Sequence, residues 1–280
     1  MGIAYQLLDG YGGVILRLGF VNYLSKNYKN VLIIMYKYHE NTVTYMLKHL
    51  KNIKYEFVCW QYSEEEEKIK KNLPENMTIH QYWDEYFKKK YPKYNFTNQE
   101  HYKKWDFLNK LDHFNIYRNE NDENLFFNNI IKENKEYILY EKCDKNKEFN
   151  KLMVDKSNNK HYNDLSWSKD PFQDHRTNRD VHDIYLNSKK FYINLHNLSK
   201  NMIETYKLLD NAKEIHLVPG PYALLITLLL KKNKNFLKNT KVFLHQYTRM
   251  HYWCNNILLE CNKFIKINKK NNNKNLSKKN

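Results

Sequence analysis

Ile3-Ala4-Tyr5-Gln6-Leu7-Leu8-Asp9-Gly10-Tyr11-Gly12-Gly13-Val14 is the stretch on which the fold turns. From Ile3 to Leu8 it is apolar except for Gln6, as expected of a strand covered on both faces, and it then enters a glycine-rich turn. Past the turn, Val14, Leu18, Val21 and Leu24 recur at helical spacing. The pattern repeats downstream. Val31-Leu32-Ile33-Ile34-Met35 reads as a second strand, residues 40–51 carry helical spacing at Val43, Met46, Leu47 and Leu50, and residues 53–60 read as a third strand. Apolar strands separated by helix-length segments predict a parallel sheet with helices on both sides.

Five of the six glycines fall in the first 19 residues, and Gly10, Gly12 and Gly13 stand where the first strand meets the first helix. Glycines there let the backbone turn sharply and approach a ligand, and the following helix offers its first N–H groups to an anion. A merely tight turn is the alternative. No Gly-Lys-Ser/Thr comes after it, so the loop is not a P-loop, and it lacks the third glycine of a dinucleotide fingerprint.

Further along, Glu64 to Glu67 followed by Lys68, Lys70 and Lys71 reads as a solvated helix with i,i+4 pairing. Residues 76–132 read as mostly helical, with His80-Gln81-Tyr82-Trp83 and Tyr86-Phe87 on an amphipathic helix around Asp84 and Glu85. Tyr137-Ile138-Leu139-Tyr140 is a new strand, and residues 144–183 have little periodicity. A second α/β block comes next. Phe191 to Leu195 and Glu214 to Val218 are strand-like, residues 201–209 are helical, Pro219-Gly220-Pro221 starts a helix through Leu230, and Val242 to His245 is the final strand. The expected organisation is two Rossmann-like domains facing a central cleft, residues 1–135 and 136–260, with a disordered Lys/Asn-rich tail over residues 261–280.

Composition narrows the function. A chain of 280 residues, 41% hydrophobic and 15% aromatic, has the apolar mass for one large or two small α/β domains, which excludes a disordered protein. The run Ala223 to Leu230 is too short to span a bilayer, the N-terminus carries no cleavable signal pattern, and the four cysteines form no CxxC pair. A cytoplasmic location is the expectation. The net charge of +16 comes mostly from lysine, only five of the 47 basic residues being arginine, so codon bias accounts for it more simply than base-reading does. Seven lysines and no acid lie in residues 263–280, which leaves non-specific contact with anions or nucleic acid open to the tail.

The glycine loop and the helix after it, Gly10-Tyr11-Gly12-Gly13-Val14-Ile15-Leu16-Arg17-Leu18-Gly19-Phe20-Val21 with Leu24 and Tyr28, resemble the opening of GT-B glycosyltransferase-like proteins related to the heptosyltransferases, GxGDxI…NGLVxxLxxxY. Asn201-Met202-Ile203-Glu204 and Asn211-Ala212-Lys213-Glu214-Ile215-His216 resemble their NxFD…AxEIHxxxSxF segment, and His245-Gln246-Tyr247-Thr248-Arg249 resembles their closing HxYAR. Such proteins occur in large DNA viruses and bacteria. The resemblance implies a nucleotide-sugar donor held by the C-terminal domain, a glycan, lipid or protein acceptor near the N-terminal loops, and no obligatory metal or other cofactor. The absence of a DxD triplet agrees with that.

Within this frame Gly10, Gly12 and Gly13 form the acceptor loop, and His196, Asn197, Pro219, Gly220, Tyr222, His245 and Arg249 are the donor-site candidates. Pro219 to Tyr222 is the best seat for a diphosphate, because a helix started by proline directs its next N–H groups outward. A rigid turn into a buried helix is the other reading. Arg249 suits a diphosphate through its fork of donors, with a surface salt bridge as its alternative. His216, on an apolar strand, reads as a core residue. Two positions depart from the family pattern: Gly13 stands where it has the Asp that deprotonates the acceptor, and Pro219 and Gly220 stand where a small hydroxyl residue meets the phosphates. Asp9 is then the candidate base, with a turn carboxylate beside Gly10 as the other reading. The cluster Asp170, Asp174, His175, Asp180, His182 and Asp183 matches no metal-ligand spacing. Three function classes remain: a metal-independent glycosyltransferase, a non-catalytic binding or scaffold module, and a nucleic-acid-associated protein using its basic tail.

Overall fold

The first strand, β1 (Gly2–Leu7), is buried along its whole length, and its two faces meet different partners. Ala4 and Leu8 join Leu32, Ile34, Tyr36, Val58, Trp83 and Phe87 in one apolar cluster. On the opposite face the Tyr5 ring stands edge-on to Phe20 of α1 (Tyr11–Asn27), 4.6 Å between centroids. The computed structural model describes residues 2–8, 10–59, 63–96, 112–132, 136–141, 191–195, 198–199, 201–217, 220–246 and 261–268. It divides into two units, Met1–Arg118 and Asn119–Asn280.

In the first unit β1 lies between β2 (Val31–Tyr36) and β4 (Tyr94–Phe96), with β3 (Ile53–Val58) outside β2, so the order is β3-β2-β1-β4 and every pairing is parallel. The chain runs to one side as far as β3, then crosses through α3 (Glu64–Lys71) and α4 (Ile79–Lys90) to the other side of β1. A 3-10 turn (Lys37–His39) and α2 (Glu40–Met46) come after β2, a shorter helix than residues 40–51 suggest. α1 is apolar nearly all round and buried to match. Part of its cover comes from residues 112–118: Asn22 Nδ2 donates to the Asn115 carbonyl at 2.8 Å, and the Tyr23 and His113 rings meet at 5.4 Å. α4 opens with a full capping box, Thr78 and Gln81 each satisfying the other's backbone N–H.

The second unit has five parallel strands, β5 (Tyr137–Tyr140), β6 (Phe191–Asn194), β7 (Glu214–Leu217), β8 (Lys241–Gln246) and β9 (Phe264–Asn268), in the order β6-β5-β7-β8-β9. α5 (Glu120–Ile130) belongs to this unit, although it precedes residue 136: Lys207 reaches Asn124 and lies over the Phe127 ring at 5.3 Å. A 3-10 turn (Met202–Thr205) runs into α6 (Tyr206–Asp210), where the sequence reads as one helix. α7 (Pro221–Lys232) is buried at every residue from 222 to 229. After it, Leu237 takes φ 58°, the left-handed region that a bulky residue rarely enters. Its N–H donates to Asp210 Oδ1 at 2.7 Å and its side chain is fully buried, and these contacts hold it there.

The tail differs from expectation. Phe264–Asn268 forms β9, in register with β8 from Val242↔Phe264 to Gln246↔Asn268. Phe264 and Ile265 supply strand-forming side chains that the Lys/Asn composition of residues 261–280 conceals. Among the described residues no helix is long and apolar enough to cross a membrane.

Candidate functional site

In an open parallel sheet, ligand-facing groups gather beyond the carboxyl ends of the strands, where the strand order reverses. That point falls between β1 and β4 in the first unit and between β5 and β7 in the second.

At the first, Gly10 is the N-cap of α1 with φ −66° and ψ 165°, an extended conformation open to any residue, and a Cβ there would meet nothing within 4 Å. Neither backbone angle nor crowding requires glycine; its effect is to leave open the space in front of the helix. The glycine N-cap brings no side chain of its own to cap α1, and Gly12 and Gly13 occupy a first turn without an acid. Beside it the Tyr11 hydroxyl donates to the Tyr38 carbonyl at 2.8 Å, and the Tyr11 ring stands edge-on to His39 at 4.4 Å. Burial raises the Tyr11 pKa against a hydrogen bond with Thr42.

The other face of β1 holds a group of residues that sequence reasoning missed. Gln6 is buried in line with Ala4 and Leu8, and α4 lies across that face. Its Nε2 donates to the His80 carbonyl at 3.1 Å and to Asp84 Oδ1, and His80 Nδ1 lies 3.4 Å from Gln6 Oε1. Burial raises the Asp84 pKa, while the Lys88 charge and the Gln6 amide act to lower it. The signal was present in the sequence: one amide inside an otherwise apolar strand must find a polar partner.

At the second point, Gly220 caps α7 with φ −162° and ψ −167°, Pro221 is the first helical residue, and neither a side-chain cap nor an acid occupies the first turn. Tyr222 is buried in that turn. β8 brings His245 to the same end of the sheet, one residue past the last β7–β8 pair, Leu217↔Leu244. The structure therefore brings Gly220, Tyr222 and the His245 backbone to one mouth, and Gly10, Gly12 and Gly13 to the other. Asp9, His196, Asn197, Pro219 and Arg249 lie outside the described residues, as does the cluster from Asp170 to Asp183. His216 is buried on β7, its Nε2 3.6 Å from Glu214 Oε2 and its ring stacked on Phe243 at 4.6 Å, the surroundings of a core residue. Burial pushes the Cys59 thiol up to about 11, against a hydrogen bond with Ser63, so it is a poor nucleophile at neutral pH. Among the described residues no three His, Cys, Asp or Glu side chains are grouped to hold a metal ion.

No family model and no curated protein matches this chain. Among solved structures it is similar to a glycosyl transferase family 9 protein from Veillonella parvula DSM 2008, with 10% identity, a TM-score of 0.47, and coverage of 95% of this chain and 86% of that one.

Proposed function

We propose that the protein is a GT-B-like glycosyltransferase that moves a sugar from a nucleotide-sugar donor to an acceptor hydroxyl without a metal. The observation that carries this reading is the start of α7: an uncapped, proline-initiated helix of 12 residues at the point where the second sheet reverses order. Such a helix end stabilises the negative charge that a diphosphate gains on leaving. Tyr222, His245 and Arg249, with His196, Asn197 and Pro219, complete the donor site, and Gly10, Gly12 and Gly13 border the acceptor. The sequence resemblance at both ends of the chain supports the same division of labour.

The test is a thermal-shift panel of UDP, GDP, ADP, CMP and their common sugar conjugates on the full chain. A ligand at about 100 times its Kd stabilises a fold by about 2.7 kcal/mol, which moves the midpoint by about 5 °C. A selective shift that Gly220→Asp abolishes supports the reading; a panel without any shift overturns it. Gly13, standing where the resembling proteins have Asp, favours a second reading, a donor-binding module without transfer, which a shift without nucleotide release identifies.

A further inference from the structure

Resting on the transferase reading, we propose that Asp84, held by Gln6, is the group that takes the proton from the acceptor hydroxyl at the mouth of the first unit. β1 and β4 pair as Gly2↔Tyr94, Ile3↔Asn95 and Ala4↔Phe96, so Gln6 stands two residues beyond the last described pair, on the strand that borders the reversal of order. α4 carries Asp84 over this position, less than two turns from its own start.

The amide of Gln6 is fixed from both ends, its Nε2 spent on the His80 carbonyl and on Asp84 Oδ1, and its Oε1 facing His80 Nδ1. Asp84 is held at Oδ1 while half-buried, and Oδ2 makes no hydrogen bond among the described residues, so it is the oxygen left for an incoming hydroxyl. Among the described residues, the Gln6 amide of β1 and the Lys88 charge of α4 act on it, and His80 of α4 meets the same amide. Burial makes this carboxylate a stronger base than an exposed one, which proton abstraction from a hydroxyl requires.

The step balances. The acceptor oxygen forms its bond to the anomeric carbon, and its proton passes to Asp84 Oδ2. The bond from that carbon to the diphosphate breaks with its electron pair, and the nucleoside diphosphate departs. Gln6 is a positioning residue. This arrangement supplies the base that Gly13 cannot, from a helix 71 residues further along the chain than that loop position.

The experiment compares full-length wild type, Asp84→Asn, Asp9→Asn and Gln6→Met, measuring nucleoside diphosphate release from UDP-glucose, UDP-N-acetylglucosamine, GDP-mannose and ADP-glucose with water and glucose as acceptors. Asn keeps an oxygen for the Gln6 amide, so Asp84→Asn removes the proton acceptor and leaves the packing. The expected result is a kcat lowered by about 100-fold or more with donor affinity and melting temperature maintained. Gln6→Met is expected to move the acidic limb of the kcat/KM profile to higher pH, because the amide favours the ionised carboxylate. Asp84→Asn within threefold of wild type, or a loss confined to Asp9→Asn, overturns the proposal and leaves the transferase reading standing. No release by wild type from any donor overturns both.

Discussion

The two sheet mouths are built alike and equipped differently. Each has a parallel strand running into a helix capped by glycine with no acid in its first turn, and both helices, α1 and α7, are buried nearly all round. Around the first mouth stand groups that can exchange or share protons: Tyr11 and His39 on one side, Gln6, His80 and Asp84 on the other. The described part of the second offers a backbone, a proline and a buried tyrosine, with its histidine on β7 stacked into the core. Under the proposed function the unequal side chains divide the work: the first mouth carries a carboxylate suited to taking a proton, and the described start of the second helix carries none that would repel an anion.

The largest way to disturb the comparison is through the helices themselves. Leu18→Ala in α1 and Leu225→Ala in α7 each remove a fully buried side chain, and each is expected to cost about 2–5 kcal/mol by urea unfolding. Equal losses bear out the likeness of the two helices; a cost below about 1 kcal/mol at either breaks it.

A sharper test puts one residue at both helix starts. Gly220→Asp is expected to weaken donor binding by at least about tenfold in calorimetry, the size of a lost or repelled phosphate contact. Gly10→Asp caps α1 in open space, so its expected effects are a raised melting temperature and a raised acceptor KM, with donor Kd within twofold. Equal loss of donor affinity from both changes would remove the distinction between the mouths.

Smaller effects lie within the first unit. Thr78→Ala removes half of the capping box of the helix that carries Asp84, at a cost of about 1 kcal/mol by thermal unfolding. Two carboxyls there should also respond to pH in opposite directions. Burial would raise the Glu56 pKa, but the Tyr91 hydroxyl, Lys90 and Lys54 together outweigh it and hold it low, so its stabilisation is present above the ordinary glutamate range and lost as pH falls through its folded value. Asp84 is raised, so its contribution is present at low pH and lost as pH rises through its folded value. Glu56→Gln is therefore expected to lower the melting temperature at neutral pH and Asp84→Asn to maintain or raise it, with both differences vanishing in acid.

How much of this the sequence shows depends on how local the cause is. β1, β2, β7 and α7 are legible because burial on both sides demands nearly uninterrupted apolar runs, and Gly220-Pro221 is legible as a helix start because proline presets the first helical residue. β4 is three residues, Tyr94-Asn95-Phe96, that gain strand identity only from pairing with Gly2 to Ala4. The Gln6–Asp84 contact spans 78 positions, so neither residue announces the other. Glycine counts for little at Gly10, whose angles any residue adopts, and for more at Gly2, where a Cβ would come within 2.6 Å of the Tyr94 ring.

β9 decides where the chain can be cut. Removing everything after Glu260 would take away the lysines and also the strand paired with β8 from Val242 to Gln246, leaving one edge of β8 a row of unpaired N–H and C=O groups. An exposed edge of that kind recruits strands from other molecules, and the shortened protein would aggregate for reasons unconnected with its charge. Ending the chain after Asn268 keeps the edge strand, with Lys266 on it to discourage such pairing, and so tests the charge of residues 269–280 apart from what an open sheet attracts.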